Sequence, residues 1–117
     1  MMTVQSISSN SMLVLYFPQG NDITVNVYYP GISDGTGSSS EFYYKTDRET
    51  SDADVTTKKY TAPIVANPDS PGECMSTFKI PSADNGVAGA LWWRIDTVDA
   101  FADRSTVGYG TLLVEAV

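Results

Sequence analysis

Apolar residues in this chain recur at every second position, and no useful window carries the 3.6-residue stripe of an amphipathic helix. Ile23, Val25, Val27 and Tyr29 share one face of an extended segment, with Thr24, Asn26 and Tyr28 on the other. The same alternation puts Cys74, Ser76, Phe78 and Ile80 opposite Met75, Thr77 and Lys79, and Leu91, Trp93 and Ile95 opposite Trp92, Arg94 and Asp96. Such a pattern predicts β-strands, and it extends over most of the chain.

Strands are predicted at 12–17, 23–29, 41–46, 58–66, 74–80, 89–96 and 106–115. Pro63 weakens the fourth and suits an edge, and Gly108 and Gly110 suggest a bulge in the last. Pro18-Gln19-Gly20-Asn21, Pro30-Gly31, Asn67-Pro68-Asp69-Ser70-Pro71-Gly72 and Ser82-Ala83-Asp84-Asn85-Gly86 read as turns. Ser33 to Ser40 is too poor in apolar groups to repay its ordering entropy, and Asp47 to Thr57 reads as a second surface loop. With no βαβ signal, the expected architecture is all-β: a two-sheet Greek-key, immunoglobulin-like sandwich of about seven strands, with an open barrel as the rival. Residues 12–117 are expected to form that single domain and residues 1–11 an N-terminal arm whose apolar anchors are Met1, Met2, Val4 and Ile7. The arm has too little surface to order itself, so it should add to an edge strand or lie on a neighbouring subunit.

Composition bounds the chemistry. The chain of 117 residues is 42% hydrophobic and 18% charged, a globular balance. Its net charge of −7 repels phosphate backbones, so nucleic acid is not an expected partner. The absence of histidine excludes Ser-His-Asp and Cys-His catalysis and the common zinc sites, and the lone Cys74 cannot form an internal disulfide. The start lacks a basic n-region, and the longest apolar run, Met12 to Phe17, is six residues. Neither a signal peptide nor a membrane partner is expected, and the protein is expected to be made in the cytoplasm of its producing cell.

Few residues suggest a site. Asp96, Asp99 and Asp103 lack the ligand alternation and the glycine of a calcium loop, and read as a solvated hairpin turn with Arg94 or Arg104 as ion-pair partner. Asp52 and Asp54 read the same way, so no catalytic residue, metal or cofactor is expected. Alternation sends Trp93 inward with Leu91 and Ile95, in a core that includes Phe78, Val25, Val27, Leu112 and Val114. Trp92 then points outward beside Arg94. There it can stack on a sugar, anchor a protein interface or be covered by its own loops, and Tyr43, Tyr44, Tyr28 and Tyr29 raise the same question. The candidate interface residues are thus Met1, Met2, Val4, Ile7, Trp92, Arg94 and Tyr43.

Phe78-Lys79-Ile80-Pro81-Ser82-Ala83-Asp84, Gly89-Ala90-Leu91-Trp92-Trp93-Arg94-Ile95-Asp96, Val98-Asp99, Arg104, Thr106-Val107 and Gly108-Tyr109-Gly110-Thr111-Leu112-Leu113-Val114-Glu115 together resemble the immunoglobulin-like β-sandwich modules of tailed-bacteriophage virions, similar to the N-terminal domain of phage upper-baseplate proteins. The first half matches only by strand pattern. The resemblance implies a non-enzymatic virion component whose partners are phage capsid or tail structural proteins, present as a homo-oligomer or multi-copy array. A single short acidic domain with no fibre-like segment suits capsid decoration. The alternative is a tail, neck or baseplate module that touches a host glycan or receptor through Trp92 and exposed tyrosines.

Overall fold

The computed structural model describes residues 2–8, 11–12, 14–29 and 35–116. Met1, Leu13, the Pro30-Gly31 turn and the start of the predicted Ser33–Ser40 loop lie outside them. The chain folds as an all-β sandwich of two sheets. The smaller sheet has the order β1 (Met2–Ser8), β4 (Asp22–Tyr29), β8 (Cys74–Ile80), β7 (Val65–Ala66). The larger runs β2 (Ser11–Met12), β10 (Arg104–Glu115), β9 (Gly89–Val98), β5 (Ser39–Lys45), β6 (Lys58–Pro63), with β3 (Leu15–Pro18) also paired to β10. One 3-10 turn, Ser82–Asn85, forms the corner between β8 and β9. No helix among the described residues is long and apolar enough to cross a membrane.

Three features refine the expected strand map. Residues 2–8 are a strand of this chain's own sheet, running parallel to β4. Ile7 is 1% exposed within the core. Its assignment as an anchor for a neighbouring subunit is therefore corrected, because that apolar surface is already covered. The predicted 58–66 strand divides at Ile64: β6 pairs with β5 at the edge of one sheet, and β7 pairs with β8 at the edge of the other. Pro63, which cannot donate a ladder hydrogen bond, sits where the chain changes sheets. The Ser33–Ser40 loop is shorter than expected, since Ser39 and Ser40 already belong to β5 and Ser40 is fully buried, where its hydroxyl pairs with that of Tyr29.

The inner faces meet in one aromatic and aliphatic core. Trp93 stacks on Phe42 with ring centroids 6.2 Å apart and planes at 18°, and Phe42 also meets Phe78 at 5.8 Å. Val25, Val27, Phe78, Trp93, Ile95, Leu112 and Val114 are buried, and Leu91 packs against them partly covered. Full burial of each large side chain contributes roughly 1.5–3 kcal/mol. The single free cysteine, Cys74, is buried in this core.

A bulge decides what the other face of the larger sheet presents. The β10–β9 register shifts between Thr106 and Gly108, leaving Val107 without a partner. Side-chain alternation in β10 reverses there. Thr106 before the bulge and Tyr109 after it therefore both lie on the outer face, opposite Asp96 and Arg94.

Candidate functional site

The outer face of the larger sheet concentrates the molecule's polar chemistry. β5 contributes Glu41, Tyr43 and Lys45, β9 contributes Asp96, Arg94 and Trp92, and their register sets them opposite one another in that order. Lys59 of β6, Arg104 and Tyr109 of β10, and Asp52 from the loop after β5 complete the face.

Seven charged side chains there form one alternating ladder. Lys59 Nζ lies 3.1 Å from Glu41, which is also paired with Arg104. Arg104 Nη1 reaches Asp96 Oδ2 at 3.2 Å, and Arg94 Nε lies 3.0 Å from Asp96 Oδ1. Arg94 Nη2 donates to Asp52 Oδ2 at 2.7 Å, and Lys45 Nζ donates to Asp52 Oδ1 at 2.7 Å and to the Thr50 carbonyl at 2.7 Å. Thr106 Oγ1 donates to Asp96 at 2.8 Å. Asp96 is 1% exposed and Lys45 4% exposed, so each is a buried ionic group whose desolvation these partners offset.

The aromatic rings are threaded into the ladder. The Arg94 guanidinium sits 4.4 Å from the Tyr43 ring centre, Lys45 Nζ 5.3 Å from the Trp92 ring and Arg48 5.7 Å from Tyr109. Trp92 and Tyr109 approach to 6.3 Å. Tyr43 also donates its hydroxyl proton to Glu41 at 2.8 Å.

Protonation follows this pairing. Burial alone would raise the Glu41 carboxyl, but hydrogen bonds from Arg104, Tyr43 and Lys59 outweigh it and lower the pKa to about 2. Hydrogen bonds from Arg94, assisted by Lys45, likewise hold Asp52 at about 2 against partial desolvation. Burial, together with the neighbouring Glu41, pushes the Tyr43 phenol up. Carboxylates held this low stay ionised at neutral pH, so neither Glu41 nor Asp52 is poised to donate a proton. The ladder braces the polar outer face of the sheet instead.

Several sequence assignments change on this face. Tyr43, expected as an exposed contact, is 4% exposed because long cationic side chains fold over its ring. Asp96, expected in a solvated turn with Asp99 and Asp103, lies inside β9 under Arg94 and Arg104. Trp92 is half-buried, and the Arg94 side chain is 17% exposed. Met2 and Val4 are described only as backbone of β1, and Met1 lies outside the described residues. Lys45, Glu41, Lys59 and Tyr109 were not among the expected site residues, although alternation through 41, 43 and 45 already places the first two on the outer face.

A concavity of about 490 Å³ opens at the end of the sandwich where β9 begins. Val55, Val87, Ala88, Leu91 and Val114 give it a largely apolar wall, and Lys58 and Asp84 stand at its side, 3.7 Å apart. Tyr60 donates to the Asp84 carboxylate at 2.6 Å and Tyr44 to the Asp84 carbonyl at 2.7 Å, which fixes this corner. Burial pushes the Tyr44 phenol up to about 12. Among the described residues no group of three carboxylate or thiol side chains could hold a metal ion. Compared with models of protein families and with curated proteins, the chain matches none.

Proposed function

We propose that this protein is a non-enzymatic structural component of a tailed-bacteriophage virion, a decoration protein on the capsid, and that the braced outer face of its larger sheet meets a neighbouring subunit. The observation that carries the reading is the ladder. Its carboxylates are each committed to cationic partners, and Lys45 at its end lies over the Trp92 ring, which in turn packs on Tyr109. A prearranged aromatic surface loses little side-chain freedom on contact, which favours association. The likeness of residues 78–115 to phage virion modules supplies the context, and those residues supply β9 and β10, two strands that build the face.

A second reading, a tail or baseplate module that contacts a host glycan, draws on the Trp92–Tyr109 pair, since sugars stack on exposed aromatic rings. Quantitative mass spectrometry of phage particles purified from a producing culture tests both. Copies on the order of hundreds per particle support decoration, and a few tens at most support a tail position. Absence from the particles contradicts the virion reading.

A further inference from the structure

We propose that copies of this chain associate head to tail, the Phe101 hairpin of one copy seating in the end pocket of the next. Phe101 is 86% exposed at the apex of the β9–β10 turn. The apex is rigid: Asp99 Oδ1 accepts hydrogen bonds from Phe101 N at 2.8 Å and Asp103 N at 3.0 Å, and the Asp99 carbonyl accepts from Ala102 N at 3.0 Å. Ala102 holds φ at +65°, a left-handed conformation in which glycine is usual. A solvent-exposed phenyl ring on a stiff turn is an anchor already shaped for docking, with little motion to lose on contact.

The pocket has the complementary character. Its volume of about 490 Å³ is ample for a benzyl group, since an apolar cavity of roughly 150 Å³ holds benzene. Val55 and Val87 on its rim are 95% and 83% exposed, so two large apolar groups stand in water around it. Lys58, whose side chain is 39% exposed and only loosely paired with Asp84, is placed to meet Asp99 or Asp103 beside an incoming Phe101. Lys58 is opposite in sign to these acidic flanks and can exchange its long contact with Asp84 for one of them.

Position excludes the same chain's hairpin, so a docked Phe101 comes from a second copy. The pocket includes Gly89 and Leu91 at the start of β9, whereas the apex follows Val98 at its end. At about 3.4 Å per residue the two features lie roughly 30 Å apart, beyond the reach of one chain's own hairpin. Each copy thus carries one donor and one acceptor on opposite ends, the condition for a heterologous contact that propagates beyond a dimer as a ring or an open filament. This inference concerns the purified chain alone and stands apart from the virion reading.

Sedimentation velocity tests it, using protein at concentrations up to about 1 mM in roughly 0.3 M salt to screen the repulsion between acidic chains. Two variants at exposed positions, Phe101→Ser and Val87→Asp, are compared with the native chain, with Val55→Asp as a second pocket variant and circular dichroism as the check of folding. The native chain should grow beyond a dimer as concentration rises, and each variant alone should associate at least about tenfold more weakly. An equimolar mixture of Phe101→Ser and Val87→Asp should form a dimer and stop, because only one intact hairpin and one intact pocket remain to meet. A native chain that stays monomeric or stops at a dimer, folded variants that associate like it, or a mixture that stays monomeric would overturn the proposal. So would native mass spectrometry showing a small molecule held in the pocket of the purified protein.

Discussion

Replacing each of the adjacent tryptophans by alanine separates the two faces of β9. Trp93 is fully buried and stacked on Phe42, so Trp93→Ala removes the largest side chain of the core and leaves a cavity the sheets can close only in part. Losses of this kind run to roughly 3–5 kcal/mol, a large share of the 5–15 kcal/mol that stabilises a typical domain. Trp92 is half-buried and contacts Tyr109 and Lys45. An aromatic pair and a cation–π contact together contribute about 1–2 kcal/mol. With a urea slope near 2 kcal/mol per molar, Trp93→Ala should lower the unfolding midpoint by about 2 M and Trp92→Ala by about 0.5–1 M. Far-UV circular dichroism reads both, since fluorescence changes with the mutation itself. Equal shifts would refute the assignment of opposite faces, and a larger loss at Trp92 would reverse it.

Acid should destabilise the fold through the ladder. Because Glu41 and Asp52 have folded-state pKa values of about 2, below their ordinary 4.5 and 3.8, their contribution is complete above about pH 5 and lost as pH falls toward 2; a urea midpoint that stays flat across that range would contradict it. Asp52→Ala should cost about 1–2 kcal/mol by leaving Lys45 buried with the Thr50 carbonyl as its remaining hydrogen-bond partner, whereas Lys45→Met should be near neutral, and the two midpoints measured side by side decide the asymmetry. Thr24, 8% exposed, has a buried hydroxyl with no hydrogen-bond partner among the described residues, so Thr24→Val should stabilise the protein by about 1 kcal/mol in the same assay.

Alternation made the sandwich legible, because a period of two specifies both the strand and the face it buries. It put Leu91, Trp93 and Ile95 on one face of β9, and all three contribute to the core. It says nothing about what long side chains do after they leave the sheet. Tyr43 does lie on the outer face, but Arg94 and Lys59 fold over its ring, and Lys45 tolerates burial because a loop seven residues further on returns Asp52 to it. The pairing of β1 with β4 was equally hidden. Seven residues with few apolar groups give no sign of which edge they join, and parallel pairing depends on how the intervening chain crosses to the other sheet. Gly108 and Gly110 pointed to a bulge, but only the register identifies Val107 as its unpaired residue, with the change of face that brings Tyr109 beside Arg94.

A cryo-electron-microscopy map of the phage particle, at a resolution that traces side chains, tests the central claim most directly. The account predicts this sandwich at repeated positions on the capsid, with Trp92 and Tyr109 against a neighbouring subunit. Particles without this chain, or copies whose outer face looks onto open solvent at every position, would contradict it.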